Sequence, residues 1–101
     1  MTTLYRPMCQ AELDLTLAHN AFPPRFPEQP WFYPVLNLQY AQEIQRWNQD
    51  GGVVTWEIDS EYCSKFPVRV VGAHYHQELW VPSEELDEFN RHIVGKIEVV
   101  V

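Results

Sequence analysis

The hydrophobic and polar positions between residues 73 and 81 alternate with the period of two that is typical of a β-strand. One face of this strand carries the apolar set Tyr75, Leu79 and Val81. The other face carries His74, His76, Glu78 and Trp80. A carboxylate among aromatic side chains costs free energy to bury unless it is paired or lines a wet cleft. The sequence leaves both environments open for Glu78.

Similar alternation predicts three further strands along the chain. They cover residues 3–8, 53–58 and 96–101, and we expect Pro7 to end the first of them because proline cannot donate to a strand ladder. Residues 68–81, which include the alternating stretch, form either one long strand or two strands that are broken near Gly72.

Apolar residues spaced three or four apart predict three helices. The first helix, residues 9–20, has the inner positions Leu13 and Leu17 and the C-terminal cap Asn20. The second helix, residues 37–49, has the N-cap Asn37 and the inner positions Tyr40, Ile44 and Trp47. The third helix has the cap Ser83, the inner positions Leu86, Phe89 and Ile93, and the closing residue Gly95.

The order of these elements is β-α-loop-α-β-β-α-β, which predicts an α+β fold rather than a doubly wound parallel sheet. The loop between the first two helices, residues 21–36, contains five prolines, and these exclude a helix or a central strand there, while "FYPVL" at its end is left open as a short extended piece. We expect one small domain over residues 1–101, with three helices and short, mostly antiparallel strands.

Charge and composition narrow the classes of partner. The chain carries 14 acidic and 7 basic residues, a net charge of −7, which argues against binding to nucleic acid or to an anionic membrane surface. No apolar stretch has the length of a membrane span, and the two cysteines form neither a metal pattern nor a disulfide framework. The sequence predicts a cytoplasmic protein that is a monomer or a weak dimer.

Few chemical motifs stand out. His74, His76 and Glu78 share a strand face and suit zinc, but the sequence offers no clear fourth ligand, so we expect no metal. No phosphate-binding glycine loop and no nucleophile elbow is present. Arg6 in the first strand either grips a carboxylate or phosphate or points to solvent at the end of the sheet.

Several of these stretches, taken in chain order, resemble the ADP-ribosyltransferase-like superfamily. They are Tyr5-Arg6, the aromatic loop that leads to "WFYPVL", the helix "NLQYAQEIQRW" with Tyr40-Ala41 near its start, and "YHQELWVPSEEL". The chain is similar as well to a group of small bacterial proteins that carry a loose "ADP-ribosylation" family label. The resemblance covers nearly the whole chain, and it implies an ADP-ribosyltransferase-like fold with NAD as the substrate.

The resemblance also implies a role for individual residues. Arg6 would hold the nicotinamide ribose region of NAD, and Tyr33 would pack the nicotinamide. Tyr40 would offer a further stacking surface, and His76 would border the cofactor two residues before the catalytic carboxylate. Glu78 would stabilise the positive charge that develops on the ribose when the glycosidic bond breaks, where a fixed carboxylate has its largest effect.

Two hypotheses from different classes follow. The first is an enzyme, either a mono-ADP-ribosyltransferase or an NAD glycohydrolase, with its cleft between the first strand and the strand of Glu78. The second is a non-catalytic module that keeps the fold and binds a nucleotide-like small molecule or a protein partner. Convergence of Arg6, Tyr33 and Glu78 on one pocket favours the first hypothesis. A Glu78 held in a structural salt bridge, with the pocket filled by Trp80 or Trp31, favours the second. The proline–aromatic loop from Phe22 to Tyr33 would then be the natural contact surface.

Overall fold

An antiparallel sheet forms the centre of the computed structural model, which describes residues 1–26, 28–48 and 50–100. The strands are β1 (Thr2–Met8), β2 (Trp31–Phe32), β3 (Gly52–Ile58), β4 (Val68–Val70), β5 (Gln77–Leu79), β6 (Val81–Pro82) and β7 (Ile93–Val99). The helices are α1 (Gln10–His19), α2 (Leu38–Gln45), α3 (Ser60–Cys63) and α4 (Leu86–Arg91), and a 3₁₀ turn covers Ser83–Glu85. The predicted α+β class with short antiparallel strands is confirmed, with four helices instead of three.

A single residue, Val35, joins the two parts of the sheet. Strand β1 lies between β3 and Val35, because the Val35 N–H donates to the Tyr5 carbonyl at 2.8 Å and the Val35 carbonyl accepts from the Tyr5 N–H at 2.9 Å. On its other side, Val35 pairs with Glu78 of β5, which is hydrogen-bonded in turn to β4. The strands therefore follow the order β7, β3, β1, the Val35 segment, β5 and β4, and β7 and β4 form the two edges.

The two faces of this sheet have different coverings. The core face carries Leu4, Trp56 and Leu79 and packs against side chains from α1, α3 and α4. The opposite face, here called the α2 face, carries Val35 and Val53 and packs against Tyr40 and Ala41 of α2. No helix in the described part of the chain is long and apolar enough to cross a membrane.

Helix boundaries follow the predicted caps at two places. The side chain of Asn37 accepts a hydrogen bond from the Tyr40 N–H at 2.8 Å, and Asn20 ends α1 in the left-handed conformation at φ 50°. The inward faces differ from the prediction. Leu13 and Thr16 are the buried residues of α1, whereas Leu17 is exposed. Trp47 lies beyond the end of α2 and is 88% exposed.

The predicted third helix is the largest error. The chain leaves α4 at Arg91, and Ile93 and Gly95 belong to β7. The β-branched pair Ile93 and Val94 favours a strand, and Gly95 adopts φ 78° beside an irregularity in the pairing of β7 with β3. A local helical spacing of apolar residues cannot reveal that β3 has a free edge that this segment completes.

One further strand prediction is confirmed and another needs correction. Residues 68–79 form the β4–β5 hairpin, with residues 71–76 in the connecting turn, so the predicted break near Gly72 is confirmed, and Val81 belongs to β6. Pro7 lies inside β1 and does not end it, because the strand continues to Met8. The backbone of Pro7 lies on the side of β1 that faces the Val35 segment, so its missing N–H removes no bond to β3.

The turn before β3 gives a test of this packing. At Gly51, which has φ 87°, an added Cβ would lie 1.9 Å from the Met8 carbonyl oxygen. At Gly95, with φ 78°, nothing lies within 4 Å of that position. We expect Gly95→Ala to lose about 1–2 kcal/mol of unfolding free energy, the usual cost of a left-handed non-glycine residue. Gly51→Ala should lose clearly more because the end of β1 must move.

Urea denaturation of the two variants and the wild type measures this difference. Equal losses for Gly51→Ala and Gly95→Ala would contradict the close approach of Gly51 to β1.

Candidate functional site

The carboxylate of Glu78 is held by a tyrosine of helix α2. The Tyr40 hydroxyl donates to Glu78 Oε2 at 2.6 Å, across the α2 face. Burial of the phenol and this hydrogen bond raise the pKa of Tyr40 well above its usual value, so the hydroxyl keeps its proton. Tyr40 is only 8% exposed. Glu78 is therefore part of a packed contact between β5 and α2.

His76 covers Tyr40 on the hairpin side of this contact. Its ring stacks on the Tyr40 ring with centroids 4.3 Å apart and planes 17° apart. The Ala73 N–H donates to His76 Nδ1 at 3.3 Å, which assigns the proton of a neutral ring to Nε2. That nitrogen lies 3.0 Å from Glu43 Oε1 and donates to it. The histidine thus bridges the hairpin turn to α2.

A second tyrosine completes this network. The Tyr75 hydroxyl donates to the other oxygen of Glu43, and the Asn37 side-chain amide donates to the Tyr75 carbonyl. The Tyr75 hydrogen bond is the main reason that the pKa of Glu43 lies below its ordinary value, and the same bond raises the pKa of Tyr75. These contacts tie the turn of residues 71–76 to the first turns of α2.

Arg6 lies in a different environment. Its Nε donates to Glu12 Oε2 at 2.7 Å, its Nη2 lies 3.3 Å from Glu12 Oε1, and its side chain is 11% exposed. The guanidinium carbon sits 4.7 Å from the centroid of the Phe32 ring. Arg25 is close by, and its pKa is lowered first by burial and then by the charge of Arg6. The carboxylate partner that the sequence left open for Arg6 is thus Glu12 of α1.

Arg6 and Glu78 lie on opposite faces of the sheet. Tyr5, Val35 and Glu78 are cross-strand neighbours, so their side chains project to the same side, the α2 face. Arg6 is the next residue of a strand that pairs regularly with β3, so its side chain projects to the core face. The structure therefore brings Tyr40, His76 and Glu78 together and separates Arg6 from them.

Tyr33 lies in an aromatic group beside the hairpin. Its ring meets the edge of Trp80 with centroids 5.0 Å apart, and Trp31 lies 5.5 Å from the same indole. The Trp80 ring also contacts a cation, since the Arg69 guanidinium carbon lies 4.6 Å from its centroid. Arg69 pairs with Glu78 across β4 and β5, so it is the arginine that shares the face of Glu78.

No cluster of three or more potential metal ligands occurs within residues 1–26, 28–48 and 50–100. His74, which the sequence placed beside His76 and Glu78, is exposed and contacts the ring of Tyr75. The turn of residues 71–76 breaks the strand on which the three side chains would have shared a face.

The sequence interpretation missed Arg69 and the character of β4. The sequence predicts a strand there without saying which residues are buried, and in the structure all three residues 68–70 are exposed. Pro67 before this segment and Gly72 after it were the available signs of a short edge strand. The pairing of Arg69 with Glu78 could not be predicted from the sequence because it depends on the length of the hairpin turn.

We compared the chain with protein-family models, with curated proteins and with solved structures. None of these three comparisons found a match. The function has to be inferred from the contacts of this chain.

The tyrosine–glutamate network predicts a specific pH dependence. Because the folded-state pKa of Glu43 is lowered, its bond with Tyr75 stabilises the fold above about pH 4.3, the ordinary glutamate value. This stabilisation is lost as the pH falls through the lowered pKa. Tyr75→Phe should therefore lower the free energy of unfolding at neutral pH, and the difference from wild type should shrink in acid.

Urea denaturation of both proteins at about pH 7 and about pH 3 measures that difference. Tyr5→Phe is the matched control, since the Tyr5 hydroxyl makes no hydrogen bond within the described part of the chain. A loss in Tyr75→Phe that is the same at both pH values would contradict the assigned role of Glu43.

Proposed function

We propose that this chain is a non-catalytic binding module whose partner is a protein that docks at the β4–β5 hairpin. The observation that carries the proposal is the exposure of strand β4, an outer strand of the sheet. Val68, Val70 and Val71 are 48%, 56% and 50% exposed and follow each other along one edge. Val68 and Val70 project to the core face and Val71 to the α2 face, and exposed apolar side chains on an outer strand are typical of interaction surfaces.

The placement of the charged residues supports binding over catalysis. A catalytic carboxylate for NAD cleavage has to face the reacting ribose, and the cation that holds the nucleotide has to reach the same cleft. Glu78 is hydrogen-bonded to Tyr40, and Arg6 is paired with Glu12 on the other face. The ring of Tyr40 is stacked on His76, so that side of the ring is closed to a nicotinamide.

The ADP-ribosyltransferase-like fold and the NAD chemistry that the resemblance implies stay predictions. Under the binding proposal, neither NAD binding at Arg6 nor nicotinamide release is expected. Calorimetric titration with millimolar NAD, followed by a nicotinamide-release assay on the wild type and on Glu78→Gln, tests this directly. Nicotinamide release by the wild type that is abolished in Glu78→Gln would overturn the proposal in favour of the enzyme.

A selection experiment tests the docking site. A random peptide library displayed on phage is selected on the immobilised wild-type chain, and the enriched peptides are then measured against two variants. Val70→Lys places a charge on β4, and the matched control Val94→Lys places one at an exposed valine of β7. We expect the enriched peptides to lose most of their binding to Val70→Lys and to keep it with Val94→Lys.

Circular dichroism and thermal melting establish that both variants fold. Failure to enrich any peptide, or equal binding of the enriched peptides to both variants, would contradict a docking site on the hairpin.

A further inference from the structure

The outer edge of β4 has backbone groups without a strand partner. The Val71 N–H donates to His76 and the Pro67 carbonyl accepts from Trp80, so residues 67, 69 and 71 face β5. The alternate residues, Val68 and Val70, therefore point their N–H and C=O groups away from the sheet. No hydrogen bond to these groups occurs within residues 1–26, 28–48 and 50–100.

Part of the other edge of the sheet is covered by a side chain. The Val100 N–H donates to the Val53 carbonyl of β3, and N–H groups alternate in direction along a strand. Ile97 lies three residues before Val100, so its N–H points outward. The side chain of Asn20 covers that position, because its Oδ1 accepts from the Ile97 N–H at 2.7 Å and its Nδ2 donates to the Gly95 carbonyl at 3.0 Å. Side-chain cover of this kind is a common defence against unwanted strand pairing. Strand β4 has no such cover.

The two faces beside β4 differ in chemistry. On the core face, Val68 and Leu79 line an apolar cleft of about 280 Å³, together with Leu36, Cys63 and Phe66. On the α2 face, Arg69 rests on the ring of Trp80 and forms no ion pair within the described residues. A strand that paired with the outer edge of β4 would send its side chains alternately to these two faces.

The geometry points to one class of partner for this edge: an extended segment in which apolar and acidic residues alternate. Its backbone completes the hydrogen bonds of Val68 and Val70. Its apolar side chains project to the core face, toward the cleft that Val68 lines. Its carboxylates project to the α2 face, opposite Arg69. This inference rests on the proposed function and specifies the partner of the same hairpin.

A second copy of the chain fits this edge less well. Full antiparallel pairing of β4 with itself places Arg69 opposite Arg69, and like charges directly opposite each other are destabilising. Pairing of β4 with β7 of another copy meets the Asn20 side chain on the β7 edge. The net charge of −7 opposes an acidic partner at long range, but physiological salt screens charges beyond about 8 Å. Arg69 lies one strand spacing, about 4.8 Å, from a strand added at β4, whereas Glu78 lies two spacings away and its carboxylate is bonded to Tyr40.

Two synthetic peptides test the inference. One alternates leucine with glutamate and the other alternates leucine with lysine, and each carries a fluorophore for anisotropy measurements. We expect the wild type to bind the glutamate peptide roughly fivefold more tightly, the size of a cross-strand charge contribution. Arg69→Glu should reverse that preference, since it inverts the charge that faces the partner. It also removes the contact with Trp80 and places a carboxylate opposite Glu78, so its melting temperature is measured to establish that the hairpin is folded.

A pair of variants at one position separates backbone pairing from side-chain contact. Val70→Pro removes the outward N–H, and an edge strand tolerates this loss. It should weaken the binding of the glutamate peptide by roughly tenfold. Val70→Thr keeps the N–H and the branched shape, and should change binding much less. Melting temperatures of both variants establish that the hairpin remains folded.

Each outcome decides the inference. Equal affinity for the two peptides, an unchanged preference in Arg69→Glu, or equal binding by Val70→Pro and Val70→Thr would overturn strand addition. Self-association in sedimentation that Val70→Pro removes would assign the edge to a second copy and overturn it too. Phage-selected peptides that depend on Val70 but lack the alternating pattern would overturn this inference and leave the proposed function standing.

Discussion

The arrangement of the whole chain depends on the backbone hydrogen bonds around Val35. Strands β7, β3 and β1 form one part of the sheet, and β5 and β4 form the other. Val35 exchanges two hydrogen bonds with Tyr5, while the Pro34 carbonyl and the Leu36 N–H bond to β5. Because side chains alternate along a strand, this register decides which face each residue of the second part occupies. A shift of one residue would turn Glu78 onto the core face beside Arg6.

An excess of carboxylates over cations shapes the polar contacts of this fold. With 14 acidic and 7 basic residues, many carboxylates have no arginine or lysine to pair with. Within the described residues, tyrosine hydroxyls donate to carboxylates in the pairs Tyr40–Glu78, Tyr75–Glu43 and Tyr62–Glu85, and Glu85 also forms an ion pair with Lys65. A phenol donates one hydrogen bond without adding charge, and its ring packs against apolar neighbours. The strand glutamate is thus accommodated by a hydrogen bond and needs no catalytic role to explain its position.

Local features of the sequence predicted much of the fold. The caps Asn20 and Asn37 and the strands β1 and β3 depend on the chemistry of a few consecutive residues, and these predictions are confirmed. The relation between Arg6 and Glu78 depends on contacts between residues far apart in sequence. The alternation along a strand shows which of its side chains share a face. It does not show which side chains of a neighbouring strand lie on that same face, because that depends on the register between the strands.

The failures have the same origin. Trp47 follows the helical spacing of Tyr40 and Ile44, yet α2 ends at Gln45 and leaves the indole in solvent. Ile93 follows the spacing of Leu86 and Phe89, yet it completes the open edge of β3. In both places the apolar residue was assigned by its spacing, whereas the structure uses it according to what the neighbouring element offers.

The two edges of the sheet differ in how their outward backbone groups are covered. An apolar edge strand with free backbone groups is a liability, because it can pair with any extended chain. The same fold covers part of its other edge with Asn20, at Gly95 and Ile97, so a means of protection exists within this architecture. On β4, the one charged side chain, Arg69, is drawn onto Trp80, and the valines beside it remain exposed. The free N–H and C=O groups of such an edge are covered only when another strand pairs with them. A partner strand therefore explains the exposed valines of β4 better than an edge without a binding role does.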